Sequence, residues 1–166
     1  PFVDLAQQHA KLKEDISLVL ENVIANSDFI RGSYMVPFED EFGKLVGAKH
    51  CISCANGTDA IYIALKALGV GQGDEVITTS HTWISSSETI TQAGAKVVFC
   101  DTYINTFNIS VESIEEKINE KTKAIVVVHL AGQPAQIIKI KELADKYGFK
   151  IIEDCAQSHL AKIDNK

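Results

Sequence analysis

With 166 residues, 46% of them hydrophobic and 23% charged, the chain has the size and composition of one globular domain with a sizeable core. A net charge of −6 without a basic cluster excludes a nucleic-acid surface, and no apolar run approaches the roughly 18 residues of a membrane span. Four cysteines in a chain of this length form no disulfide framework, and the opening PFVDLAQQHAKLK has neither the basic nor the apolar region of a secretory signal, so the expected compartment is the cytoplasm.

In chain order, residues 7–26 predict an amphipathic helix, because Leu12, Ile16, Val19, Leu20 and Val23 recur on one face. The link NSDFIRGSYM leads to a second short helix that Pro37 opens, with Phe38, Phe42 and Leu45 on one side. Residues 1–50 therefore form an N-terminal helical segment. From residue 51 onward the pattern alternates. The apolar run CISCA precedes helix TDAIYIALKALG, and then follow strand DEVITT, helix WISSSETITQAG, strand KVVFCD, helix VESIEEKIN, strand KAIVVVHL, helix IIKIKELADKYG and strand FKIIED. Gly69, Gly94 and Gly148 stand where these helices stop. The strands are continuous apolar runs, as in a sheet covered by helices on both faces. The predicted fold is α/β, a three-layer α/β/α sandwich around a mostly parallel sheet spanning 51–166.

In such sheets ligands bind beyond the carboxyl ends of the strands. Asn56, Gly57 and Thr58 fall there after the first run, His81, Thr82 and Trp83 after the second, Asp101 after the third, His129 to Gln133 after the fourth, and Asp154 to Gln157 after the fifth. The turn NGT runs straight into a helix with Thr58 at or near its N-cap. Its free N–H groups suit a phosphate dianion, although an ordinary threonine cap gives the same pattern. A dinucleotide is excluded by context, since GVGQG at 69–73 follows a helix and enters a strand. Trp83, the single tryptophan, is either core or a face covering a flat heteroaromatic ring. Cys51 and Cys54 are expected to be packing residues, since an odd spacing in an extended run sends them to opposite faces. His81, His129, His159, Glu153 and Cys155 have no local pair with zinc spacing, so no metal site is assigned. Asn56 and Asn108 begin N-x-[ST] triplets that matter only in a secreted protein.

The last strand delivers Asp154 to its own end, where a carboxylate needs a partner. A protonated pyridine nitrogen is such a partner, and a close carboxylate keeps that nitrogen protonated, which makes the ring an electron sink. Gln157 then offers its amide to a phenolate oxygen on the same ring. Phosphate cradle, ring-covering aromatic and pyridinium carboxylate, in this order, fit pyridoxal 5'-phosphate.

Six ordered blocks carry a resemblance across essentially the whole chain: FIRGSYMVPFEDEF, CANGTDAIYIALKALGVGQGDEVIT, HTWISSSETITQAGAKVVFCD, TFNIS, VVVHLAGQPA and IIEDCAQSH. The sequence resembles the nucleotide-sugar aminotransferases, pyridoxal-phosphate enzymes of the aspartate-aminotransferase fold (fold type I). The resemblance implies that residues 51–166 are part of the cofactor-binding large domain, C-terminally incomplete. It also implies that Gly57 and Thr58 hold the cofactor phosphate, Trp83 stacks on the pyridine ring, Asp154 pairs with the ring nitrogen as the catalytic carboxylate, and Gln157 approaches the phenolic oxygen. The implied reaction moves an amino group from glutamate to a keto group of a nucleotide-linked deoxysugar, in a homodimer.

Two departures stand out. Leu160 replaces the glycine that usually follows AQSH. The Schiff-base lysine of the family lies beyond Lys166, and Lys162 and Lys166 stand too close to Asp154 to take that role. The 166-residue chain by itself is therefore expected to be inactive. Alternatives of the same ancestry are a sugar dehydratase with histidine in place of that lysine, and a non-catalytic ligand-binding relative.

Overall fold

The computed structural model describes residues 2–164; Lys166 lies outside the described residues. The chain divides into two compact units, residues 1–53 and 54–166.

The first unit holds two helices, α1 (Leu5–Ala25) and α2 (Met35–Val46). Asp4 starts α1 by accepting the Gln7 N–H at 3.0 Å. The stripe expected on α1 is present, but no residue of that helix is buried. Pro37 sits in the first turn of α2, where its missing N–H costs nothing. Phe38 and Phe42, one turn apart, stack with centroids 5.6 Å apart. Glu39 then ties down the end of the unit, its Oε1 accepting the Ser53 N–H at 2.8 Å and the Ser53 hydroxyl at 2.7 Å.

The second unit begins with α3 (Gly57–Ala67) and continues with β1 (Glu75–Thr79), α4 (Ser85–Ala93), β2 (Lys96–Cys100), α5 (Val111–Lys117), β3 (Thr122–Val128), α6 (Ile137–Tyr147) and β4 (Lys150–Asp154). All strand pairs are parallel and the order is β2-β1-β3-β4. Alternate strand residues face opposite layers. Val76, Ala124 and Val126 join Ile61 and Leu65 of α3 and Ile90 of α4 in one cluster. Ile77, Ile125 and Val127 join Ile114 of α5 and Ile140 and Leu143 of α6 in the other. The expected three layers follow, and Gly69, Gly94 and Gly148 take the positive φ values of 71°, 95° and 82° that end α3, α4 and α6.

The apolar run 51–55 does not join the sheet, which among the described residues has four strands. Residues 51–54 are irregular and Ile52 is 81% exposed. An apolar run becomes a strand only where a neighbour receives its hydrogen bonds, and no described residue pairs with this one.

The connections set the position of any site. From β1 the chain steps through α4 outward to β2. It then returns across β1 to β3 and continues through α6 to β4. The direction of winding reverses between β1 and β3, and the crevice at the carboxyl ends of those strands is where such folds bind ligands.

Past β4 the backbone turns at Leu160 with φ +67°, a left-handed conformation that costs a branched residue about 1–2 kcal/mol. The glycine of the family pattern is what this turn favours. Leu160→Gly is expected to raise stability by about 0.5–1 kcal/mol, the strain released less the entropy glycine adds to the unfolded chain. Urea unfolding measures it, and a destabilised variant contradicts it.

Candidate active site

Helix α3 starts at Gly57, and its N-cap is Asn56, not Thr58 as the sequence suggested. Asn56 Oδ1 accepts the Asp59 N–H at 2.9 Å, while its Nδ2 donates to Asp59 Oδ2 at 3.0 Å. The reason is where the chain leaves the helix. Asn56 is extended, at φ −163°, and its short amide reaches the third helical N–H, whereas Thr58 is already inside the first turn. With capping done by Asn56, the Thr58 hydroxyl is released for another task. It lies 2.7 Å from the hydroxyl of Ser85, the first residue of α4.

Two helix starts therefore meet at the carboxyl edge of the sheet. The N–H groups of Gly57 and Thr58 have no acceptor among the described residues. A Cβ at Gly57 would meet no atom of the chain within 4 Å, so neither packing nor a left-handed backbone calls for glycine there. What the position leaves is open approach to unpaired N–H groups at the positive end of a helix. Trp83 stands two residues before Ser85, at the beginning of α4, and its carbonyl accepts the Ser86 N–H at 3.2 Å. The indole is 75% exposed and belongs to neither core cluster.

Asp154 ends β4, paired in register with Val128 of β3. Two residues earlier Ile152 packs on the cluster made by α3 and α4, so Asp154 is on the same face of the sheet as those helices. Its carbonyl accepts the His129 N–H at 3.1 Å and its Oδ1 accepts the Ala156 N–H at 3.0 Å. The carboxylate is half-buried and pairs with no cation among the described residues. Gln157 bends back to the loop after β3, where its Oε1 accepts the Ala131 N–H at 2.8 Å. That bond fixes the amide orientation and leaves Nε2 as the outward donor.

His129 has a structural role. Its buried ring receives the Ala135 N–H on Nδ1 at 3.0 Å and meets Glu153 Oε2 through Nε2 at 2.9 Å. Cys155 and then Glu153 draw the imidazole pKa upward, against the cost of burial. The Ala135 N–H, however, needs the Nδ1 lone pair, so the ring is held as the neutral Nε2–H tautomer donating to Glu153. Asn108 was noted in the sequence only as part of a triplet. It is 3% exposed and clamps the loop after β3, accepting the Leu130 N–H and donating to the Gln133 carbonyl, both at 3.0 Å. A cavity of about 400 Å³ beside β4 is lined by His129, Glu153, Cys155 and Ser158 together with apolar residues of α6, and it includes none of Gly57, Thr58, Trp83, Asp154 and Gln157. Sequence reasoning also missed Ser85, whose only local signal is its place two residues after Trp83.

A parallel sheet with helices on both faces, two helix starts converging at its carboxyl edge and an acid at the end of a neighbouring strand define the large domain of a fold type I pyridoxal-phosphate transferase. Comparison with known proteins places it further. The chain belongs to the DegT/DnrJ/EryC1/StrS aminotransferase family, which it matches over residues 10–166. It is 46% identical over 166 residues to a pleiotropic regulatory protein of Geobacillus stearothermophilus, covering 100% of this chain and 45% of that protein. It is 44% identical to the UDP-2-acetamido-2-deoxy-3-oxo-D-glucuronate aminotransferase of Pseudomonas aeruginosa, covering 99% of this chain and 46% of that one. Among solved structures, Streptomyces venezuelae DesV in complex with a ketimine intermediate superposes with a TM-score of 0.92 at 34% identity, over 96% of this chain and 43% of DesV. The chain thus spans a little under half the length of the curated relatives it matches. The cofactor of this family is pyridoxal 5'-phosphate. The donor set fits that group: unpaired N–H groups and a hydroxyl for a phosphate, an exposed indole for a ring, and a carboxylate without a cation for a ring nitrogen. No described helix is long and apolar enough to cross a membrane.

Proposed function

We propose that the whole protein is an aminotransferase that moves an amino group from glutamate to a keto group of a nucleotide-linked deoxysugar, working as a homodimer in the cytoplasm. In this reading Gly57 and Thr58 bind the cofactor phosphate, Trp83 covers the pyridine ring, Asp154 faces the ring nitrogen, and the Gln157 amide donates to the phenolic oxygen. The observation that supports it most is the placement of Asp154 on the sheet face covered by α3 and α4, whose joined starts carry Thr58, Ser85 and Trp83. Bound there, the cofactor supplies an electron sink. The residues of this chain do the rest: Asp154 holds a proton on the ring nitrogen, Gln157 fixes the ring's rotation, and Trp83 keeps water off one face.

No residue of this chain is assigned the Schiff base, and Lys162 is exposed. The chain alone is therefore expected to show no transfer. The full-length protein, given pyridoxal phosphate, glutamate and a nucleotide-linked 3-keto sugar, is expected to release 2-oxoglutarate in step with the amino sugar. Loss of water from the sugar without 2-oxoglutarate would assign the dehydratase instead, and neither product would leave a ligand-binding relative.

A further inference from the structure

The hydroxyl pair that joins α3 to α4 carries a directional consequence. Ser85 is 5% exposed, and Thr58 Oγ1 at 2.7 Å is the one partner its hydroxyl has among the described residues. A buried hydroxyl needs an acceptor for its proton, and among the described residues Thr58 Oγ1 is the one within reach of Ser85. Thr58 then accepts from Ser85, and its own proton is left for an acceptor outside the pair, which the unpaired N–H groups of Gly57 and Thr58 are free to bind as well. The opposite polarity would spend the Thr58 proton inside the protein and turn an oxygen lone pair toward an anion.

From this geometry we infer that Ser85 is a positioning residue for the cofactor phosphate, orienting the Thr58 hydroxyl as a phosphate donor. The inference rests on the cofactor reading above. A chain of hydroxyls running from Ser85 through Thr58 to a dianion polarises in one direction, so each bond strengthens the next.

The test uses the full-length protein, its Ser85→Ala variant and its Ser85→Thr variant, with fluorescence or absorbance titrations by pyridoxal phosphate and by pyridoxal. Loss of the bond that orients the Thr58 donor toward a charged acceptor is expected to weaken pyridoxal phosphate binding by Ser85→Ala about tenfold. Pyridoxal, which has no phosphate, is expected to bind parent and Ser85→Ala alike. Inorganic phosphate is expected to raise pyridoxal affinity in the parent and much less in Ser85→Ala, which separates the phosphate group from the rest of the cofactor. Ser85→Thr, which keeps the hydroxyl, is expected to restore pyridoxal phosphate binding. Equal weakening of both ligands would overturn the inference in favour of a purely structural contact, and unchanged affinity for both would overturn it outright. A parent protein that binds neither ligand would instead sink the cofactor reading, and that result is read before any variant is made.

Discussion

Asp154→Asn in the full-length protein is expected to raise the dissociation constant for pyridoxal phosphate by about 10- to 1,000-fold. The size follows from linkage. A carboxylate next to a titrating nitrogen shifts its pKa by about 1–3 units, each unit a factor of ten between the two protonation states. By reciprocity the same factor separates binding of the protonated ring with and without the carboxylate. The substitution keeps the shape of the side chain, and the amide oxygen can still accept the Ala156 N–H that Oδ1 now takes at 3.0 Å. The strand end should therefore stay in place, and the loss should be one of charge. Titration of both proteins at neutral pH measures it. Equal affinity with an unchanged cofactor spectrum would remove Asp154 from the site.

Leu65→Ala is expected to destabilise the protein by about 3–4 kcal/mol, the upper part of the range for a fully buried leucine. Leu65 is 0% exposed and sits between Ile61, Val70, Val76 and Val126, so the cavity left behind is walled by sheet and helix alike and cannot easily collapse. The same residue anchors α3, whose start carries Gly57 and Thr58. The variant should therefore bind pyridoxal phosphate more weakly, and saturating cofactor should recover part of the lost stability by mass action. Urea unfolding with and without the cofactor checks both halves. A loss below about 1 kcal/mol would mean that α3 is not held by this contact.

Much of the sheet was legible because its strands are apolar on both faces and its helices end at glycines. KAIVVVHL needs no context to be recognised as a buried parallel strand, FKIIED is a strand but only partly buried at the edge of the sheet, and Gly94 and Gly148 mark helix ends that only a residue tolerant of positive φ closes cheaply. The run CISCA carries the same local signal and yet forms no strand. Strand formation depends on a partner as well as on composition, and the partner is not written in the run itself. The α1 stripe shows the same limit from the other side. Its periodicity correctly gives a helix, but periodicity does not say what covers the stripe, and no described residue of α1 is buried.

The site divides along the same line. Asp154 and Trp83 could be singled out because a carboxylate or an indole at a strand end is conspicuous by type. Ser85 could not, because a serine has no such distinction and its partner lies 27 residues away along the chain. The cap of α3 went to Asn56 and not Thr58 because the two compete for the same N–H groups, and the exit angle of the backbone decides between them. His129, which the sequence places beyond the fourth run, is a hydrogen-bonded support for the loop after β3.

By itself, the sequence determined the periodicities, the residue types at the strand ends and their order, because those are properties of neighbours along the chain. The tertiary structure decided which strand ends lie side by side, which face of the sheet Asp154 occupies and which hydroxyls meet, because β2 folds outside β1 while β3 and β4 fold to its other side. That reversal sets residues far apart in sequence around one crevice, and only the folded backbone contains it.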